Sequence, residues 1–159
     1  MGSLAQSVTP EIACVLIPAG DEGLLLPNVC IAEVLPWRRV NKIKNAPDWC
    51  VGMAEWRGQN IPVIRFDVMN KGNPSDDESH RCLVVMNRAR LTNGAAFYAL
   101  AATGLPKILK LSGEDLTNQS RGIQDAEVAA VRVGTENAII PNLEFVETRV
   151  RNLIAALNG

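Results

Sequence analysis

A chain of 159 residues, 47% hydrophobic and 21% charged, has the composition of one soluble globular domain, or of two small halves sharing a core. Its formal net charge of −1 offers no general attraction to nucleic acid or to an anionic membrane, and 4% aromatic residues leave little for a base-stacking surface. No segment reaches the roughly 18 apolar residues of a membrane span, and the first residues lack the basic region of a signal peptide.

In chain order, the apolar run "EIACVLIP" reads as a strand closed by the turn residues "AGDEG". "LLLPNVCIAEVLP" follows as a long strand that Pro27 kinks or confines to an edge. Alternation within it puts Val29, Ile31 and Glu33 on one face and Cys30, Ala32 and Val34 on the other. The small, apolar second face is the expected core side, so Ile31 and Glu33 are expected to point outward. "PWRRVNKIKNAPDW" reads as a loop. "VGMAEW" and "IPVIRF" then form a hairpin around "RGQN", and the very polar "NKGNPSDDESHR" is the expected division between halves. A second hairpin joins "CLVVMN" to "AAFYALAA", with Asn93-Gly94 as its turn signal.

"LPKILKLSGEDLTN" is ambiguous, a strand running into a loop. "AEVAAVRV" and "NAIIP" make a third hairpin across "GTE". The closing "NLEFVETRVRNLIAALN" is a helix. Leu143, Val146, Val150, Leu153, Ile154 and Leu157 form its apolar stripe, Asn142 its N-cap, and Glu144 suits the positive end of its dipole. About six to nine short strands and one terminal helix argue for a mostly β barrel or sandwich. The parts on either side of the polar stretch resemble each other in pattern without sequence identity, which suggests a duplication.

Most catalytic chemistry lacks its parts. His80, the single histidine, lies in the polar "DDESHR" stretch, where an imidazole has no sheltered site or orienting partner and reads as a surface residue. There is no nucleophile elbow, phosphate-cradling glycine loop or calcium loop. A carboxylate pair assembled from distant loops stays open at this level. Cys14, Cys30, Cys50 and Cys82 have neither zinc nor redox spacing and read as small buried hydrophobes in a reducing compartment. "WRRVNKIK", residues 37–44, is the one basic cluster. It reads as a solvated loop, with a phosphate-tracking surface as the competing interpretation. What remains is surface. Ile31 and Glu33 face outward, Gly52 permits close approach, and Arg57-Gly58 tips a hairpin with a guanidinium fork available to a partner.

The span "NVCIAEVLPWRRVNKIKNAPDWCVGMAEWRGQNIPVIRFDV" resembles the signature region of the CheW family, the adaptor proteins of bacterial chemosensory arrays. Ile31, Glu33 and Val34 match its first strand. Asn45, Pro47, Trp49, Val51 and Gly52 match its loop, and Arg57, Gly58, Ile61, Pro62 and Val63 its hairpin. Pro27 and the divergent loop are similar to variant adaptors of chemosensory pili systems, including ChpC-type proteins. The resemblance implies a single CheW-like domain over 1–159, built of two SH3-like five-stranded β-barrels packed side by side with a C-terminal helix. The approximate division it suggests is a first barrel over 24–70 plus the C-terminal part and a second over 80–141.

It further implies a non-enzymatic, cytoplasmic adaptor without cofactor or metal, coupling a CheA-type histidine kinase regulatory domain to the cytoplasmic tip of a methyl-accepting chemoreceptor. The output would be chemotaxis or type IV pilus (twitching) motility. By position, Ile31, Glu33 and Gly52 would face the kinase, and Arg57 and Gly58 the receptor. The alternative class is a nucleic-acid-binding small β-barrel using the basic loop. The chain departs from the family pattern at "Ile64-Arg65-Phe66-Asp67", at "Ala99-Leu100-Ala101-Ala102" where an acidic residue is common, and at Asn142, where aspartate is common.

Overall fold

A computed structural model describes residues 10–71, 79–87 and 97–158. Strands β1 (Ile12–Ala19) and β2 (Glu22–Pro27) form the first hairpin, with Gly20 in the turn at φ 82°. The long strand expected next does not exist. β2 stops at Pro27, a 3-10 turn spans Asn28–Cys30, and β3 (Ile31–Pro36) belongs to another sheet. Proline has no N–H to extend the ladder, so the chain changes direction there.

β4 (Cys50–Trp56) and β5 (Gln59–Ile64) pair as expected around a turn of two residues, Arg57 and Gly58. Gln59 and Asn60, expected in the turn, are therefore in the strand. Helix α1 (Phe66–Lys71) follows, where the sequence suggested only a departure from the family pattern. β6 (Cys82–Met86) and β7 (Tyr98–Ala102) are the second hairpin; its Asn93-Gly94 turn signal lies outside the described residues. The ambiguous segment resolves into β8 (Lys107–Leu111), a 3-10 turn over Gly113–Asp115 capped by Ser112, and β9 (Leu116–Asn118). β10 (Glu127–Val133) and β11 (Glu136–Pro141) form the third hairpin, and α2 (Leu143–Asn158) closes the fold.

The protein is mostly β: two curled sheets and a C-terminal helix. One sheet runs β8-β1-β2-β11-β10-β9 and the other β3-β6-β7-β5-β4, so a short sixth strand is added to the first. Both share one wiring. An edge strand (β8 or β3) pairs antiparallel with a hairpin, whose second strand lies parallel to β11 or β5. The halves resemble each other in this respect, but they are not consecutive segments. β6 and β7 pair with β3 and β5, while β1 and β2 pair with β8 and β11. The physical reason is the parallel pair in each sheet: neighbours running the same way need a long crossover, and here the crossovers interleave the sheets.

Among the described residues, three apolar clusters fill the structure. Val15, Ile17, Leu24 and Leu26 of one sheet meet Ile64, Val84, Met86, Tyr98 and Leu100 of the other in a shared core, with Val146 and Val150 of α2 packed in. Ala54, Trp56, Ile61, Val63, Leu83 and Val85 fill the five-stranded sheet; Leu16, Leu25, Val131 and Ala138 fill the six-stranded one. β6 and β7 are buried at every position because alternate residues enter different clusters, so they read as continuous apolar runs.

β3 departs from simple alternation. A bulge between Ile31 and Glu33 shifts its register on β6. Cys30 and Ile31 therefore pack against the shared core, Ala32 and Leu35 against the interior of their own sheet, and Val34, expected in the core, is 44% exposed. Of the four cysteines, all free, Cys50 and Cys82 are buried while Cys14 and Cys30 are only half-buried.

In α2, Asn142 caps as expected: its Oδ1 accepts the Phe145 N–H at 3.3 Å. Val146, Val150 and Leu153 bury the apolar stripe, but Leu157 extends beyond the core and is exposed. Glu147 sits buried on the same face, beside Tyr98, whose buried hydroxyl has no hydrogen-bond partner. Burial pushes the Glu147 carboxyl above the ordinary carboxylate value. A raised folded-state pKa means that its unfavourable contribution is absent below the ordinary value and develops as pH rises through the folded one. Replacing Glu147 with methionine, a good helix former, is expected to stabilise the protein at pH 7 by about 1 kcal/mol by removing a buried polar group. Urea unfolding at pH 7 and pH 4.5 checks this, the gain being larger at pH 7.

Candidate functional site

Among the described residues no group of His, Cys, Asp and Glu side chains is placed to hold a metal ion, and no helix is long and apolar enough to cross a membrane. A groove of about 330 Å³ lies between Pro18, Gly23, Lys107 and Asn137. Two of its three carboxylates are engaged: Glu136 with Lys107 at 3.0 Å, and Glu22 with Lys71 and Arg121 at 3.6 and 3.4 Å. His80 is not a loose surface residue; its ring stacks on Trp37, with centroids 4.8 Å apart. The basic loop is likewise fastened down. Trp37 packs against the interior of the five-stranded sheet, Arg38 Nη1 donates to the Glu55 carbonyl at 2.8 Å, and Asn41 exchanges two backbone hydrogen bonds with Met53.

Two of the residues singled out from sequence, Glu33 and Arg57, meet at one place, the seam of the five-stranded sheet. β3 and β4 are its opposite edges, yet Glu33 on β3 reaches the end of the β4–β5 hairpin because the sheet curls. Glu33 Oε1 accepts two hydrogen bonds there, from Trp56 Nε1 at 3.0 Å and from Arg57 Nη2 at 3.1 Å. The Arg57 guanidinium lies 4.8 Å above the Trp56 ring, a cation–π distance, and the buried Trp56 meets Phe97 edge-on at 4.8 Å. The Arg57 and Glu33 side chains are 67% and 35% exposed, so the ion pair itself adds at most about 1 kcal/mol of stability.

Arg57 also adopts an unusual backbone. Its φ is +48° and that of Gly58 is +77°, the paired left-handed values of a type I′ turn. Glycine accepts that conformation freely, whereas for arginine it costs about 1 kcal/mol. The turn therefore holds an exposed guanidinium at a cost in backbone strain. Glu33 and Arg57, expected on surfaces for different partners, are thus directly bonded.

The other expected contact residues behave differently. Ile31 is half-buried against the shared core. Gly52 is buried beneath Val40 and Asn41 at φ +149°; a Cβ there would collide with the Asn41 carbonyl oxygen. It therefore shapes the surface from beneath, at a point with no room for a side chain. Sequence reasoning missed Trp56, although a tryptophan immediately before the Arg-Gly tip was the available signal.

Residues 13–149 match the family model described as the CheW-like domain. The chain belongs to the CheW-like family. A solved structure, the scaffolding protein TtCheW from Thermoanaerobacter tengcongensis, has the same fold, with a TM-score of 0.67 at 18% identity over 86% of this chain and 92% of that one. No match is found among curated proteins. Membership supports a chemotaxis-type scaffold role, and the match spans both curled sheets together with part of α2.

Proposed function

We propose that this CheW-like chain is a non-enzymatic, cytoplasmic adaptor joining the regulatory domain of a CheA-type histidine kinase to the cytoplasmic tip of a methyl-accepting chemoreceptor. The observation that carries the reading is the family match over residues 13–149, combined with an exposed, strained Arg57 at the seam. On this reading Ile31 and Glu33 belong to the kinase-facing side, with Gly52 setting its shape from beneath, and Arg57 and Gly58 to the receptor-facing side. Burying one aliphatic side chain contributes roughly 1.5–3 kcal/mol, while micromolar binding needs about 8, so each contact is weak alone and gains strength from neighbouring contacts in an array. The pilus-linked version of the system is part of the proposal; Pro27, which ends β2, and the divergent loop that follows support it.

Charge reversal at Arg57 tests the assignment. Arg57→Glu is expected to weaken capture of a soluble chemoreceptor cytoplasmic hairpin at least about tenfold, or about 1.4 kcal/mol. Thermal stability should fall little, because the lost pair is exposed. Unchanged capture would show that the receptor docks elsewhere. The nucleic-acid reading makes a separate demand, salt-dependent retention of single strands on a filter. The docking of the basic loop onto β4 counts against it.

A further inference from the structure

We infer that Trp56 is the positioning residue of the docking seam, fixing Glu33 with its indole N–H and posing Arg57 on its ring face. The inference rests on the adaptor reading above and deepens it by adding a residue buried behind the contact surface.

Two sides of one side chain do separate things. The Trp56 N–H reaches across the curled sheet to Glu33 Oε1 at 3.0 Å, joining edge strands that no backbone ladder connects. Its ring face lies under the Arg57 guanidinium at 4.8 Å. Trp56 is itself immobilised, 4% exposed among Ala54, Ile61, Val63, Leu83 and Val85 and braced by Phe97. Arg57, by contrast, is exposed and Glu33 half-buried, and both are long rotamer-rich side chains, which an ion pair alone orders poorly. A rigid indole bonded to the carboxylate and stacked on the guanidinium removes that freedom before a partner arrives, and binding then costs less in ordering.

The arrangement also settles what happens when a partner takes the arginine. Both described hydrogen bonds end on the same oxygen, Oε1. When Arg57 turns toward a carboxylate or carbonyl on the partner, Glu33 retains the indole donor and stays in place. The partner chemistry this fits is an acceptor-rich segment, such as acidic side chains on a helical hairpin, meeting a fork with five donors.

Trp56→Phe isolates the hydrogen bond, since it keeps an aromatic face and most of the buried volume. It is expected to weaken capture of the soluble chemoreceptor hairpin about tenfold, the size of a hydrogen bond to a charged group. In a Glu33→Leu background, which has no acceptor for the indole, the same change should have little further effect, because the two residues act through one contact. A separate readout uses the tryptophan side-chain signals in a ¹H–¹⁵N spectrum: Glu33→Gln should shift the Trp56 indole resonance and leave those of Trp37 and Trp49 in place. If Trp56→Phe does not fold, that spectrum still decides, and an unmoved Trp56 signal overturns the inference. If Arg57→Glu weakens capture while a folded Trp56→Phe binds like the parent, the inference fails and the adaptor reading stands. If Arg57→Glu itself has no effect, the adaptor reading of the seam fails and the role of Trp56 with it.

Discussion

Replacing Glu127 with alanine is expected to destabilise the protein by about 3 kcal/mol, the lower end of the range for breaking a buried ion pair. For a chain of this length that corresponds to a fall in Tm of roughly 10 °C. The Glu127 side chain is fully buried, yet it accepts hydrogen bonds from both Nη atoms of Arg121 at 2.9 and 3.1 Å, from the Gln124 N–H at 2.9 Å and from Asn70 Nδ2 at 2.8 Å. Asn70 lies on α1, so the carboxylate joins the six-stranded sheet to the helix that follows β5. Alanine strands four donors on three residues; Arg121, about one-third exposed, recovers part of the loss in water, which sets the lower end of the range. Lys107→Ala removes a pair exposed on both sides and is the near-neutral comparison.

The same residue gives a pH signature. Burial acts to raise the Glu127 pKa, but the Arg121 guanidinium, the Gln124 N–H and the Asn70 amide together outweigh it and hold the carboxyl below its ordinary value. A lowered folded-state pKa contributes stability that is present above the ordinary carboxylate value and is lost as pH falls through the folded one. Acid unfolding of Glu127→Ala should therefore be shallower than that of the parent. A parallel pair of curves would remove the network from the account of stability.

Gly52→Ala is expected to cost about 3 kcal/mol, combining an overpacked site with a backbone region that side chains rarely enter. The added Cβ meets the backbone of Asn41, with its carbonyl carbon 2.8 Å away, and Val40 Cγ1 at 2.8 Å. These atoms cannot withdraw cheaply, because Asn41 and Met53 exchange hydrogen bonds of 2.8 Å in both directions. Relief requires lifting the loop off β4, so hydrogen exchange at the Met53 and Asn41 amides should accelerate in the variant, along with a drop in Tm. If the variant keeps its Tm and its slow exchange, Gly52 is not held by sterics.

Local features were legible in the sequence. Turn residues at Gly20, an Arg-Gly tip, period-two runs and an asparagine cap each act within a few positions, and the hairpins and α2 followed from them. The family motif carried the family itself, which the match over residues 13–149 bears out. What escaped depends on distance along the chain. That β1 joins β8 and β2 joins β11 is written in no local pattern. The split at Pro27 hides inside a continuous apolar run, because Leu24 and Leu26 before it and Cys30 and Ile31 after it pack against the same shared core. The bulge that exposes Val34 shifts a face by one residue, which alternation alone cannot register. Glu127 and Glu147 look like surface acids by type, and only the fold makes one an anchor and the other a burden.

The interleaved wiring also bears on how the molecule comes into being. β1, near residue 12, has no neighbour on one side until β8 exists, and β2 waits for β11, more than a hundred residues later. During synthesis the first hairpin must therefore remain unsatisfied until nearly the whole chain has emerged. Long-range closure of this kind makes assembly slow, and it leaves no continuous half that could mature independently.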